Sequence, residues 1–223
     1  MTPPSHKQNT VTQVLIVDDH PIVRFGISQL IEQEDDMTVC GEAEDIAGTL
    51  KFLSSNEPDI ALVDLALKGR SGLELIRELK TRSTQLPVLV VSMHDESLYA
   101  ERVLRAGARG YITKEEAPTQ IVQAIRHVLK GQLYLSRNMI TKLLDKLVDN
   151  SSPSLSPMER LSNRELQVFQ LIGKGVTTRS IAKQLHLSVK TIETHRARIK
   201  EKLNLQNASE LLWHAMQWVH YDL

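Results

Sequence analysis

The sequence predicts an α/β protein in which a doubly wound, five-stranded parallel sheet precedes a small all-α domain of four helices. Over the first 130 residues, short apolar runs alternate five times with amphipathic stretches, which is the pattern of βα units. Runs such as 88–91 are apolar throughout, as is typical of parallel strands covered on both faces. Beyond residue 157 only helical patterns follow.

The elements of the first domain follow from these runs. The predicted strands are 13–17, 37–42, 59–63, 87–92 and 109–112, and the predicted helices are 21–34, 45–55, 72–82, 95–107 and 117–130. Pro21 suits the first turn of a helix, because its missing N–H would have no partner there. Gly107 suits the position just after a helix end, where a left-handed backbone is common.

A change in composition predicts the boundary between the two domains. Residues 139–148 keep a helical apolar pattern, but 150–157 carry four serines and two prolines. Such a stretch is typical of a linker. We therefore predict a first domain at 1–131, a linker that includes a helix at 132–157, and a second domain at 158–223.

Capping signals divide the second domain into four helices. A Ser, Thr or Asn side chain satisfies free N–H groups of the first turn, and a glutamate three residues later completes a capping box. The start signals are, in chain order, Ser162 with Glu165, Thr177, Ser188, and Asn207 with Glu210. A tight turn at 186–188 separates a short second helix from a longer third helix at 189–203, which predicts a helix-turn-helix.

Composition and charge restrict the class of protein. The chain has 223 residues and no net charge, but 1–150 hold 17 basic and 21 acidic side chains whereas 151–223 hold 10 and 6. The basic second half favours a polyanionic partner. The single cysteine, Cys40, excludes an intramolecular disulfide. Because neither a secretory signal nor an apolar run of membrane-spanning length is visible, we expect a cytoplasmic protein without a membrane partner.

Charged and hydroxyl side chains stand at the ends of four predicted strands. Asp18 and Asp19 follow the first strand, Asp64 the third and Lys114 the fifth, while Ser92 ends the fourth. Because the carboxyl ends of parallel strands open onto one crevice, where such folds bind ligands, we expect these side chains to meet.

These residue types fit a metal-assisted, phosphoryl-accepting centre. Asp19 and Asp64, with a backbone carbonyl near Ala66, would supply the oxygen ligands that Mg²⁺ prefers, and Asp18 would orient a bound water or ligate directly. A carboxylate can attack a phosphoryl donor to form an acyl phosphate, while an ammonium and a hydroxyl hold the phosphoryl oxygens. Any one of these residues alone would more often be a cap, a turn residue or a solvated side chain.

With these residues, 1–130 resembles the receiver domains of two-component response regulators, which have a flavodoxin-like fold. The matching positions are Asp18, Asp19, Asp64, Gly72, Ser92, Tyr111 and Lys114. The resemblance implies that a sensor histidine kinase phosphorylates Asp64 and that Ser92 and Lys114 bind the phosphoryl group. Tyr111 is similar to the family's switch aromatic, and it fits a half-buried strand tyrosine equally well. Lys68 stands where the family usually has proline.

The third helix of the second domain has the pattern of a DNA-reading helix. Its predicted apolar stripe consists of Val189, Ile192, Ile199 and Leu203. The opposite face is small and basic, which suits a major groove, whereas Lys202 could reach phosphates from the side. The residues predicted to contact DNA are Lys190, Thr191, Glu193, Thr194, Arg196, Ala197, Arg198 and Lys200. Without the short helix before it, an ordinary amphipathic helix would be the preferred interpretation.

The second domain resembles the LuxR-type helix-turn-helix over about 158–220. The resemblance rests on Leu161-Ser162-Asn163-Arg164-Glu165, Gly173-Lys174-Gly175, Ile181-Ala182, Leu185, Leu187-Ser188, Thr191-Ile192, His195 and Lys202-Leu203. The whole chain is thus similar to NarL/FixJ-type response regulators. This implies sequence-specific binding to promoter DNA and a homodimer when phosphorylated, with the final helix helping to form it. The dimerisation residues predicted there are Leu211, Leu212, Ala215 and Met216.

Other functions are compatible with parts of the sequence. In a pseudo-receiver regulator, DNA binding would ignore phosphate, and the altered loop at Lys68 leaves room for this reading. A phosphohydrolase with an aspartyl intermediate would give the C-terminal helices no role, and an adaptor would not need a basic reading helix. We therefore expect a transcription regulator rather than an enzyme.

Overall fold

A computed structural model describes residues 11–68, 70–82, 85–148 and 157–221 of the chain. The chain forms two compact units, Met1–Lys142 and Leu143–Leu223. The serine- and proline-rich part of the predicted linker, 150–157, falls almost wholly outside the described residues, so the domain boundaries stay a prediction. Among the helices that the structure describes, none combines the length and the apolar character needed to cross a membrane.

The first unit is a five-stranded parallel sheet with the order β2-β1-β3-β4-β5, flanked by helices. This confirms the predicted doubly wound fold. Its strands are β1 Thr12–Val17, β2 Met37–Ala43, β3 Ile60–Val63, β4 Val88–Ser92 and β5 Gly110–Thr113. Its helices are α1 Pro21–Glu32, α2 Ile46–Leu53, α3 Gly72–Thr81, α4 Glu96–Ala106 and α5 Ala117–Leu129, after which α6 Arg137–Val148 runs across the division between the units.

Alternation along the strands packs both faces of the sheet. Val14 and Ile16 belong to a buried cluster with residues of α1 and α5, such as Ile31 and Ile125. The intervening Leu15 of β1 and its partner Ala61 on β3 are also buried. Two-sided burial explains why these strands read as continuous apolar runs. Their parallel pairing brings their carboxyl ends to the same edge of the sheet.

An extra chain segment covers the outer edge of β5. The backbone N–H of Tyr111 donates to Tyr134 O at 2.9 Å, and that of Tyr134 donates to Arg109 O at 3.1 Å. A Cβ on Gly110 would lie 3.0 Å from the Cβ and the backbone oxygen of Tyr134, so a glycine permits this close approach. The segment after α5 therefore belongs structurally to the sheet whose edge it pairs with, although the sequence placed it in the linker.

The second unit contains the four predicted helices. They are α7 Asn163–Gly173, α8 Thr178–Gln184, α9 Val189–Leu203 and α10 Ala208–Tyr221, and a 3-10 helix, Pro157–Arg160, precedes them. The Ser162–Glu165 capping box is present, and Ser188 accepts a hydrogen bond from the N–H of Thr191 at 3.0 Å. His186 adopts a left-handed backbone with a φ of 52° in the turn between α8 and α9. The predicted helix-turn-helix is therefore confirmed.

Candidate functional site

The strand ends assemble the predicted acidic centre. Asp18 follows β1 and Asp64 follows β3, and both side chains are buried. Lys114, directly after β5, places its Nζ 2.6 Å from Asp18 Oδ2 and 2.8 Å from Asp64 Oδ2. Its backbone N–H donates to Ser92 O at 2.8 Å, which holds the ends of β4 and β5 together. Three separate strands thus supply one buried ion triad.

Two carboxylate oxygens of this centre are buried without a hydrogen-bond partner in the described part of the chain. They are Asp19 Oδ1 and Asp64 Oδ1. His20 Nδ1 lies 2.7 Å from Asp19 Oδ1, but this approach does not make a hydrogen bond. Ligand atoms of Asp18, Asp19, His20 and Asp64 all lie within 4.8 Å of one another. Buried polar atoms normally have partners, so unpaired carboxylate oxygens at this spacing fit a divalent cation such as Mg²⁺.

The protonation equilibria of the centre reflect burial and pairing together. Burial raises the pKa of Asp64, because the cost of desolvating its carboxylate exceeds the stabilisation that the Lys114 ammonium provides. Burial alone would lower the pKa of Lys114, but attraction to Asp64 and Asp18 outweighs it and the pKa lies above its usual value. The ammonium is therefore firmly charged, whereas a further cation would favour the ionised Asp64.

The loop after Asp64 is anchored at both ends. The N–H of Gly72 donates to Leu65 O at 2.9 Å, and a Cβ on Gly72 would lie only 1.9 Å from the backbone oxygen of Asp64. Glycine is therefore required where α3 begins. Ala66 pairs with Ser71 across the loop, so its backbone is held near Asp64, although its carbonyl as a metal ligand stays a prediction. Lys68, in place of the usual proline, is exposed.

Ser92 and Tyr111 lie beside the acidic centre, at the carboxyl side of the sheet. Both are buried, and the Tyr111 hydroxyl donates to His94 O at 2.8 Å. Burial raises the pKa of Tyr111 well above its usual value, so its hydroxyl stays protonated. The His94 ring stacks on Tyr99 with centroids 4.8 Å apart, so it is packed rather than fully solvated. Tyr111 is thus inward-facing and fully buried, not half-buried.

The surface of α9 provides the second candidate site. Ile192 and Ile199 are buried, as predicted, but Val189 is 46% exposed, so the prediction that it joins the apolar stripe is wrong. The stripe fails there because Val189 stands in the first turn of the helix, at its open end. Five of the residues predicted to contact DNA are exposed, namely Lys190, Glu193, Thr194, Ala197 and Arg198. Thr191, Arg196 and Lys200 are partly buried.

Two basic side chains of α9 are engaged within the domain. Lys202 Nζ lies 2.6 Å from Oε2 of Glu165, a carboxylate whose side chain is 3% exposed. Burial alone would raise the pKa of Glu165, but hydrogen bonds from Lys202 and Ser162 outweigh it and lower the pKa. Lys202 therefore joins α9 to α7, and its contact with phosphate stays a prediction. Arg196 Nε lies 3.7 Å from Glu193 Oε2, which is a long and partly solvated pair.

The final helix separates the four predicted dimerisation residues into two pairs. Leu211 and Ala215 are fully buried in the core of the domain, where a Cβ on Gly173 of α7 would lie 2.3 Å from the backbone oxygen of Ala215. Their side chains are therefore unavailable to a second copy. Leu212 and Met216 are exposed, and so is Trp213, which was not predicted. A tryptophan directly after Leu212 in a predicted helix was the signal in the sequence that could have indicated it.

Comparisons with known proteins find a match for each of the two parts of the chain. Residues 14–126 match the family described as the response regulator receiver domain, and residues 159–215 match the bacterial regulatory proteins of the luxR family. The oxygen regulatory protein NreC of Staphylococcus carnosus is 35% identical over 210 residues, which cover 92% of this chain and 97% of that protein. The chain belongs to the NarL/FixJ-type response regulators.

Solved structures of another response regulator, RcsB, are similar over nearly the whole chain. One, of RcsB from Salmonella typhimurium, has a TM-score of 0.64 and 29% identity, and covers 93% of this chain and 98% of that one. A second, from Salmonella enterica serovar Typhimurium, shows RcsB bound to promoter rprA in the presence of the phosphomimetic BeF3⁻. It has a TM-score of 0.60 and 30% identity, and covers 93% and 99% of the two chains. This response regulator thus combines a receiver domain with a LuxR-type DNA-binding domain, as transcription regulators of the family do.

Proposed function

We propose that a sensor histidine kinase phosphorylates this response regulator on Asp64, and that phosphorylation controls its dimerisation and its sequence-specific binding to promoter DNA. The observation that carries the proposal is the buried triad of Lys114 with two carboxylates, beside two buried carboxylate oxygens that accept no hydrogen bond from the described residues. Burying three acidic side chains and one ammonium in a crevice costs stability, and such clusters of charge occur mainly at functional sites.

The residues of the centre divide the chemistry among them. Asp64 is the nucleophile: one oxygen of its carboxylate bonds to phosphorus while the bond from phosphorus to the histidine of the kinase breaks. Its Oδ1 has no hydrogen-bond partner among the described residues, and its Oδ2 is held by Lys114 until the phosphoryl group arrives. Asp19 and Asp64, with the carbonyl of Ala66, would hold Mg²⁺, which neutralises charge on the phosphoryl oxygens when bound. Lys114 then binds one phosphoryl oxygen as a point charge. Ser92, buried at the end of β4, donates its hydroxyl to another.

Tyr111 connects the site to the surface of the receiver. Its hydroxyl holds the backbone of His94, two residues after Ser92, while its backbone N–H pairs with Tyr134 at the edge of the sheet. A movement of Ser92 toward a phosphoryl group would change the contacts of this side chain. Phosphorylation would thereby shift a receiver equilibrium that governs the DNA-binding domain.

The exposed face of α9 supports major-groove recognition. Lys190 and Arg198 present cations, and Thr194 and Ala197 present methyl groups suited to thymine. Thr194 Oγ1 donates to Lys190 O at 3.0 Å, which turns its methyl group away from the helix backbone. The apolar residues Leu212 and Met216, joined by Trp213, would contribute to the dimer.

The pseudo-receiver alternative rests on Lys68 and predicts no phosphorylation. The test is intact mass spectrometry after incubation with acetyl phosphate, with and without Mg²⁺, on the wild type, Asp64→Asn and the exposed-site control Asp35→Asn. We expect a Mg²⁺-dependent phosphoryl adduct in the wild type and Asp35→Asn, and none in Asp64→Asn. If the wild type forms no phosphoryl adduct under conditions that phosphorylate another receiver domain, the proposal that Asp64 is phosphorylated is wrong and the pseudo-receiver alternative is favoured.

A further inference from the structure

The first turn of α6 is capped in part by a side chain of another helix. Ser136 directly precedes α6. Its hydroxyl oxygen accepts a hydrogen bond from the N–H of Met139 at 3.1 Å, and its carbonyl accepts one from the N–H of Ile140 at 3.0 Å. In a capping box, the N–H of such a residue donates to a carboxylate three positions along its own helix, but that position holds Met139. The N–H of Ser136 donates instead to Oε1 of Glu96, the first residue of α4, at 2.9 Å.

The chain just before α6 is attached to β5 and α5 by contacts that do not involve α4. Tyr134, two residues before Ser136, accepts a hydrogen bond at its carbonyl from the N–H of Tyr111 at 2.9 Å. Its hydroxyl donates to Oε1 of Gln120 on α5 at 2.7 Å, and its ring meets that of His127 edge-on with centroids 5.7 Å apart. Ser136 is therefore held beside the sheet, and Glu96 reaches it from α4.

Glu96 lies close in the chain to the side chains that would respond to phosphorylation. Both backbone groups of His94, in the loop before α4, are bound by such side chains. The N–H of His94 donates to the Ser92 hydroxyl oxygen at 3.3 Å, and its carbonyl accepts from the Tyr111 hydroxyl at 2.8 Å. A phosphoryl group that takes the Ser92 hydroxyl as a donor draws this oxygen away from His94. Because Glu96 is two residues further along, a shift of His94 moves its carboxylate relative to Ser136.

We propose that Glu96 is a releasable cap of α6. When Asp64 is phosphorylated, the loop before α4 shifts, Glu96 withdraws from Ser136, and the first turn of α6 loosens. The inference rests on the proposed function, since the phosphoryl group drives the movement. It names a route by which the phosphorylated site acts on the helix that precedes the DNA-binding domain in the chain.

Hydrogen exchange of the full chain, followed by NMR at amides 136–140, tests the cap itself. Loss of a capping side chain changes the opening equilibrium of a helix end about 5-fold, so Glu96→Ala should raise exchange at these amides by about that factor. Glu96→Gln should keep most of the protection, because its side-chain oxygen also accepts a hydrogen bond. The matched control is Glu74→Ala, which removes a first-turn glutamate of α3 that pairs with Arg70 and should leave α6 unchanged. Equal exchange in Glu96→Ala and the wild type overturns the inference.

The same amides, measured with acetyl phosphate and Mg²⁺ and with the adduct verified by mass, test the release. We expect phosphorylation to raise their exchange about 5-fold in the wild type and Glu74→Ala, and to add little in Glu96→Ala, where the cap is already absent. A full further rise in Glu96→Ala would show that α6 responds by another route and overturns the inference. An adduct without a change at 136–140 in the wild type defeats the release alone, whereas a missing adduct defeats the proposed function and the release with it.

Discussion

The two sites of this response regulator place their charges in opposite environments. In the receiver, Lys114 is 7% exposed and contacts two buried carboxylates contributed by different strands. On α9, Lys190 and Arg198 are exposed on a single helix. Buried charges interact strongly and depend on each other, whereas exposed charges are screened by solvent and salt. The stability of the first site thus depends on each of its charges, while the exposed charges of the second site are accessible to a polyanion.

Removing the charge of Lys114 should have the largest effect on stability, and it tests the contrast between buried and exposed charges most directly. Lys114→Met leaves Asp18 and Asp64 buried beside each other without a counter-ion, which should cost about 3–5 kcal/mol of stability. Hydrogen exchange of amides in β3 and β4 would report the receiver alone. The control Lys130→Met changes an exposed lysine after α5 and should change stability by less than about 0.5 kcal/mol. Equal protection of these amides from exchange in Lys114→Met and Lys130→Met would show that the buried carboxylates do not depend on Lys114.

Changes on α9 should affect DNA binding and leave stability nearly unchanged. The double variant Lys190→Ala and Thr194→Ala should cost about 1–3 kcal/mol in binding to a selected DNA site and alter sequence preference. The measurement is fluorescence anisotropy over a range of salt concentrations, with Lys51→Ala on α2 as the exposed-lysine control. Unchanged affinity and preference would show that this face of α9 does not enter the groove.

Lys202 is an exception to this contrast, because it lies on α9 yet pairs with the buried carboxylate of Glu165. Lys202→Met should cost roughly 1–2 kcal/mol of stability in the DNA-binding domain, less than a fully buried pair because the lysine is 38% exposed. The lowered pKa of Glu165 makes its stabilisation complete above its ordinary value of 4.5, and acid titrates it away. Thermal unfolding followed through the tryptophan fluorescence of α10 should therefore differ between wild type and variant at pH 7 and converge as acid protonates Glu165. A constant difference would contradict the pairing.

The smallest expected effect has the opposite sign. Because the pKa of Asp64 is raised, the folded protein binds its proton more readily than the unfolded chain, and the ionised carboxylate destabilises the fold at neutral pH. Asp64→Asn should therefore stabilise the receiver by roughly 1 kcal/mol at pH 7. The gain should shrink as the pH falls toward 3.8, the ordinary pKa of the group. A variant less stable than the wild type at pH 7 would show that the Lys114 pair dominates instead.

The sequence predicted the receiver site better than the DNA-binding face, for a physical reason. Asp18, Asp64 and Lys114 follow strands whose order forces their ends together, so topology alone places them. Helical periodicity locates a stripe but does not say how far the packing extends, and it assigned Val189 to the core although the residue is exposed. Conversely, Leu211 was assigned to a dimer although it fills the core beside α7.

Pairings between residues far apart in the chain could not be predicted from the sequence. Lys202 and Glu165 are 37 residues apart, and nothing in their local patterns indicates that α7 and α9 bring them together. The pairing of Tyr134 with the edge of β5 was missed because its segment reads as a linker. The position of His20 was not predicted, because a single histidine before a helix has no distinctive pattern, and only the folded structure places its ring beside Asp18 and Asp19.

In the proposed function, phosphorylation of the buried receiver site controls DNA binding by the exposed face of α9. The most direct test compares the affinity of the full chain for a duplex selected from a random library, before and after acetyl phosphate with Mg²⁺, in the wild type and Asp64→Asn. We predict that phosphorylation tightens binding in the wild type and leaves Asp64→Asn at the unphosphorylated affinity. Equal affinity of phosphorylated and unphosphorylated wild type, with the adduct verified by mass, would contradict the account.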